Sequence, residues 1–291
     1  MAERIAPELI ETARDRLADI EARIAAACAR TGRDPGEVHV IGASKRQPIE
    51  RIAAAVCAGL VWLGENYVQE ARDKRAELTA RLAAHYSDDD SEHLAEPLAE
   101  RLSEQPTQQP TQEQAAGPAA GHPGSPTGSR IPTPRWRLIG NLQRNKAKQA
   151  VECFDAIDTL DRAALAEALD RRAASAGVRL DLCAQVNVSG EPQKAGISES
   201  ELPELLAACR PLEHVKVVGL MAVPAASPDL EERRRAFSRL RALRDTLRSA
   251  PGGEHLKELN MGMSGDYEVA VEEGATWVRI GTALFGSRPS A

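Results

Sequence analysis

Short apolar runs rich in Val, Ile and Leu recur along this chain, each followed by a stretch of helical periodicity. That alternation restricts the fold more than any other feature of the sequence. The runs cover residues 38–45, 60–64, 136–140, 154–160, 180–188, 215–223, 255–261 and 276–281. Strands separated by helices pair in parallel, because each crossover returns the chain to the same end of the sheet. Eight such units close into a (β/α)8 TIM barrel rather than an open sheet. An additional amphipathic helix precedes the first unit. Ile5, Leu9, Ala13, Leu17, Ile20, Ile24 and Ala27 fall on one stripe, and Thr31-Gly32 followed by Pro35 ends it.

One window breaks the pattern. Residues 87–134 hold eight of the chain's 18 prolines and no aromatic residue, with runs such as Gln105-Pro106-Thr107-Gln108-Gln109-Pro110. Such a stretch buries too little apolar surface to offset its ordering entropy, so a disordered insertion is expected inside one barrel domain spanning 1–291. Setting it aside leaves about 240 residues, close to the ~250 of a typical eight-unit barrel.

Composition narrows the function. A net charge of -6 argues against general affinity for nucleic acid or anionic membrane. No apolar run reaches the length of a membrane span and no signal-peptide core follows Met1, so a cytoplasmic location is expected. The five cysteines are widely spaced without a C-x-x-C pair, and the six histidines lack ligand spacing; neither a disulfide framework nor a metal site is expected. The arginine-rich stretch from Glu231 to Arg248 carries Phe237, Leu240, Leu243 and Leu247 at helical spacing, which reads as an outer helix with a solvated face.

In barrels of this kind the residues just beyond the strands gather at one rim, where the loops after strands seven and eight commonly hold phosphate. The first run, Val38-His39-Val40-Ile41-Gly42-Ala43-Ser44-Lys45, delivers one ammonium group to that rim. After the seventh comes Met261-Gly262-Met263-Ser264-Gly265-Asp266, and the eighth leads into Arg279-Ile280-Gly281-Thr282. Small residues there allow close backbone approach, and the hydroxyls add donors. A lysine and a phosphate cradle at the same rim fit a small phosphorylated aldehyde, with pyridoxal 5'-phosphate (PLP) the obvious candidate.

Seven ordered motifs carry a resemblance. They are Ala43-Ser44-Lys45, Gly64-Glu65-Asn66-Tyr67-Val68-Gln69-Glu70, Ile139-Gly140-Asn141-Leu142-Gln143-Arg144-Asn145-Lys146, Asn187-Val188-Ser189, Gly219-Leu220-Met221, Met261-Gly262-Met263-Ser264, and the stretch from Val278 to Gly286. In these the chain resembles the pyridoxal phosphate homeostasis proteins, the YggS/PROSC type, along nearly its whole length apart from the insertion. The resemblance implies a PLP-binding barrel of the alanine racemase N-terminal type with Lys45 as the Schiff-base lysine. It places Ser264, Gly281 and Thr282 at the phosphate, Asn66 and Met263 along the ring, and Arg279 near the pyridine nitrogen. Two residues depart from the family pattern: Arg137, where His usually follows the Trp, and Asn260, where Ser commonly stands. Either could alter the pocket rim.

Local readings compete with these roles. Asn66 could cap the following helix, Met263 could fill the core, and Arg279 could pair with a carboxylate. Two functions follow. One is a monomeric, non-catalytic protein that holds PLP and hands it to PLP-dependent apo-enzymes. The other is an amino-acid racemase, which needs a second proton donor on the opposite substrate face. In alanine racemases a tyrosine from a separate β domain fills that role; here the chain ends five residues after Gly286, so the carrier is expected.

Overall fold

The computed structural model describes residues 4–87, 131–189, 191, 194–224 and 227–287. The expected insertion therefore lies outside the described residues, apart from Ser87 and residues 131–134. Eight strands, β1 (His39–Ala43), β2 (Trp62–Glu65), β3 (Arg135–Leu138), β4 (Ala156–Leu160), β5 (Leu180–Gln185), β6 (Val215–Met221), β7 (Glu258–Met263) and β8 (Trp277–Ile280), form a closed barrel in sequence order. Every pairing is parallel, and closure is made by β1 on β8, with Ile41 opposite Arg279.

Helix α1 (Pro7–Thr31) precedes the barrel and ends as its sequence requires, with Gly32 in the left-handed conformation at φ 68°. It packs on helix α2 (Ile49–Cys57) and on the short helices Tyr267–Glu272 and Thr282–Phe285. Ala13, Leu17, Ile20, Ile24 and Ala27 form its buried stripe. Leu9, expected on that stripe, is instead 37% exposed, although Ile5 and Ala13 on either side of it are buried. Phe237, Leu240 and Leu247 are buried on the helix Leu230–Leu247, and its arginines face outward or pair with carboxylates. The cap of that helix is Asp229, whose side chain accepts from the Glu231 N–H at 2.9 Å.

Strand ends differ from the apolar runs because pairing, not hydrophobicity, defines them. β7 begins at Glu258, where Gly219 supplies a partner, and continues through Met263, opposite Arg279. Residues 255–257 stay outside it although Leu256 is fully buried. β5 stops at Gln185, and Val186 makes only an isolated bridge to Ile197.

The N-terminal end of the barrel is closed by aromatic rings. Trp62 and Trp277 meet edge to face at 5.1 Å, His39 lies 4.6 Å from Trp277, and the Arg137 guanidinium stacks 4.1 Å from the Trp277 ring. Arg137 is 2% exposed and its bonds cross from β3 to β4 and β7, so it occupies the barrel interior and not the rim. Asn260 is likewise fully buried.

Candidate functional site

The closed strand order makes β7, β8, β1 and β2 neighbours, so their C-terminal ends form one continuous arc. Lys45, Asn66, Met263, Ser264, Arg279, Gly281 and Thr282 all lie on or just beyond those strands. Sites more than 200 residues apart in sequence thereby share a mouth. The Ser264 hydroxyl accepts from the Gly281 N–H at 3.2 Å, tying the turn after β7 to the turn after β8. A Cβ on Gly281 would lie 3.7 Å from the Ala43 carbonyl, which puts this turn directly beside the end of β1.

Lys45 is half-buried, and its loop is held rigidly from below. Lys74, one helical turn past Glu70 on helix α3 (Val68–Tyr86), reaches the Ser44 carbonyl at 2.6 Å, Glu65 at 2.8 Å and Glu70 at 2.8 Å. Ser44 donates to Glu65 at 2.7 Å, and the Arg46 N–H donates to Glu70 at 2.8 Å. Arg46 has φ 56°, the one positive value among the described non-glycine residues, so the chain is bent sharply just after Lys45. Burial pushes the Glu65 carboxyl up, opposed by Lys74 and Ser44, and its second oxygen has no protein partner. Bonds from Lys74 and the Arg46 N–H outweigh burial at Glu70 and hold it below the usual carboxylate range.

Arg279 projects into the barrel. Its guanidinium donates to the Asn260 carbonyl at 2.9 Å, to the Asn260 side-chain oxygen, and to the Ala222 carbonyl at 2.9 Å. Its Nε donates to no described residue. Burial pushes the group down to about 10, against the raising influence of Asp158 and Asp266, so it stays cationic at neutral pH.

The competing local readings are set aside by position. Tyr67, not Asn66, occupies the helix N-cap and makes no side-chain cap bond. Met263 is 40% exposed, and Arg279 bonds an amide and carbonyls rather than a carboxylate. Thr282 is exposed at the start of its helix, and Asn66 is half-buried beneath Gly140, where a Cβ would fall 2.3 Å from the Asn66 carbonyl. A cavity of about 880 Å³ between Arg179, His214, Lys216 and His255 opens at the opposite rim and includes none of these residues.

Sequence reading passed over Ser44, Glu65, Lys74, Asp158 and the interior position of Asn260. Glu70 and Lys74 at i,i+4 spacing, and a lone acid in the otherwise apolar Ala156-Ile157-Asp158 run, were the available signals.

The barrel and its arc define a β/α barrel of the alanine racemase N-terminal type, and residues 16–289 match the family described as "Alanine racemase, N-terminal domain". A pyridoxal phosphate homeostasis protein of Pseudomonas aeruginosa is 34% identical over 279 residues, covering 96% of this chain and 97% of its own length. Its namesake from Aquifex aeolicus is 36% identical over 94% of this chain and 97% of its own. The chain belongs to the pyridoxal phosphate homeostasis protein family. PipY of Synechococcus elongatus, solved with PLP bound, is 32% identical with a TM-score of 0.69, covering 94% of this chain and all of PipY. The alanine racemase of Corynebacterium glutamicum shares the fold at TM-score 0.57 and 12% identity, with 97% of this chain matched to 62% of the enzyme.

Among the described residues no helix is long and apolar enough to cross a membrane, and no group of His, Cys, Asp and Glu could hold a metal ion.

Proposed function

We propose that this chain binds PLP through Lys45 and serves PLP homeostasis, holding the cofactor and releasing it to PLP-dependent apo-enzymes of the cytoplasm without turning over a substrate. The reading extends to this chain what PipY displays, a barrel of the same family with PLP bound. The observation that carries it is the cross-linked Ser264-Gly281 turn beside the end of β1, two residues from Lys45.

The residues fit the cofactor. When bound, PLP supplies an aldehyde that condenses with a neutral amine and releases water. Lys45, half-buried above a loop pinned by Lys74, is the amine. Ser264 and Thr282 would offer hydroxyls to the phosphate, Gly281 between them would leave room for its close approach, and Asn66 and Met263 would flank the ring. With PLP bound, Arg279 would lie near the ring nitrogen. A fixed cation there keeps a proton off that nitrogen, which weakens the ring as an electron sink and favours storage over turnover.

Purified protein should absorb in the visible after incubation with PLP, and borohydride should fix the label on Lys45. Lys45→Ala should abolish both signals. Unchanged colour in that variant, or a label on another lysine, sinks the assignment. Alanine racemisation at enzyme-like rates in a coupled assay would replace the carrier reading by the racemase.

A further inference from the structure

Four polar side chains, one each from β3, β4, β7 and β8, form an unbroken line of hydrogen bonds inside the barrel. Arg137 donates to Asp158 through Nη2 at 2.7 Å and through Nε at 3.0 and 3.1 Å. The Asn260 amide donates to Asp158 at 2.8 Å, while its oxygen accepts from Arg279. Asp158 and Asn260 are 0% exposed, Arg137 2% and Arg279 5%. Glu258 completes the set, accepting from Arg137 at 3.0 Å. Two cations thus face two anions in a space that β/α barrels usually fill with aliphatic side chains.

Asn260 is the only member that touches both halves. Its orientation is fixed by chemistry, because the nitrogen must face the carboxylate and the oxygen must face the guanidinium. An aliphatic residue here would orphan a donor and an acceptor. A lone carboxylate would stand against Asp158. Removal of bulk water and the low local dielectric make such a line polarise as a unit.

We propose that Asn260 is the positioning residue for Arg279, and that it transmits the charge of the Arg137-Asp158 pair to the guanidinium beside the cofactor ring. The proposal rests on the placement of Arg279 given above. The charged and titratable groups that act on Arg279 are Asp158 on β4, Cys183 on β5 and Asp266 after β7. Arg137 and Asn260, the two departures from the family pattern, therefore belong to one device with Asp158 as its shared centre.

The test compares wild type, Asn260→Ala, and the exchange Asn260→Asp with Asp158→Asn, each loaded with PLP. The exchange keeps a donor-acceptor line but moves the negative charge one side chain closer to Arg279. Affinity is read by absorbance titration, and the pH midpoint of the visible band is followed in each. Asn260→Ala should bind PLP roughly tenfold more weakly, the scale of one lost charge-assisted hydrogen bond. The exchange should bind within about threefold of wild type and raise the midpoint by about one unit. An exchange titrating like wild type, or Asn260→Ala unchanged in affinity and midpoint, overturns the proposal. Circular dichroism melts establish folding, and if the exchange does not fold, Asn260→Ala with Asn260→Ser decides. Borohydride labelling of Lys45 separates the two levels: its absence in wild type removes the site reading itself, whereas labelling with invariant midpoints removes only the coupling.

Discussion

The Ser264 hydroxyl accepts the Gly281 N–H at 3.2 Å, so the turns that end β7 and β8 are hydrogen-bonded to each other. Ser264→Ala removes the acceptor and one candidate phosphate donor together. PLP affinity is expected to fall roughly tenfold, the equivalent of about 1.4 kcal/mol, while affinity for pyridoxal, which lacks the phosphate, stays the same. Fluorescence titrations with both ligands check this. Equal losses would move Ser264 away from the phosphate.

Lys74 neutralises a fully buried carboxylate: Glu65 is 0% exposed and lies 2.8 Å from the Lys74 nitrogen. Breaking a buried pair by removing one partner costs about 3–5 kcal/mol. Lys74→Met should therefore lower stability by about that amount, and adding Glu65→Gln should recover most of it. Urea denaturation of the single and double variants measures the recovery; a double variant no better than the single would show that the pair acts only through the Ser44 carbonyl.

Gly140 passes so close to Asn66 that a Cβ would sit 2.3 Å from the carbonyl oxygen and 2.5 Å from the Cα. The neighbour is backbone and cannot rotate aside. Gly140→Ala should cost about 1–3 kcal/mol by overpacking and should also weaken PLP binding, because β2's end must shift. Thermal melts and a PLP titration test both halves of the expectation.

Helix α3 ends at Tyr86 and β3 begins at Arg135, so both junctions of the intervening segment lie at the strand starts, opposite Lys45. Replacing 88–130 by a short Gly-Ser linker is expected to leave PLP affinity within about twofold of wild type. A tenfold loss would place part of that segment at the mouth.

Glu272 accepts from Arg234 at 2.6 Å and from Arg30 at 2.6 Å, and these bonds outweigh burial and hold its carboxyl below the ordinary value. A depressed folded value means that its stabilisation is fully present above the unfolded value of about 4.3 and is lost as pH falls through the folded one. Glu272→Gln should destabilise by about 0.5–1 kcal/mol at neutral pH. The gap from wild type should close on acidification below about 4. Denaturation series at several pH values give the sign directly.

Local pattern sufficed for the barrel itself. Helix and strand periodicities are properties of neighbouring residues, so the eight units, the Gly32 stop and the strand-end placement of Lys45 were legible without any tertiary information. The same holds for Ser264 and Gly281, whose small side chains follow β7 and β8 in plain view. Boundaries were less legible, as at β7, because a strand extends only where a partner offers its backbone.

What the amino-acid order determined by itself, then, is the alternation and the residues presented at the strand ends. Tertiary closure alone decided that Arg137 and Asn260 would lie inside the barrel and meet at Asp158. Asn260 and Asp158 are 102 residues apart in sequence, and no local periodicity encodes a hydrogen bond of that separation. The pairing exists because the pleat turns these side chains inward and the closed barrel leaves them no water, so each must find its partner across the interior.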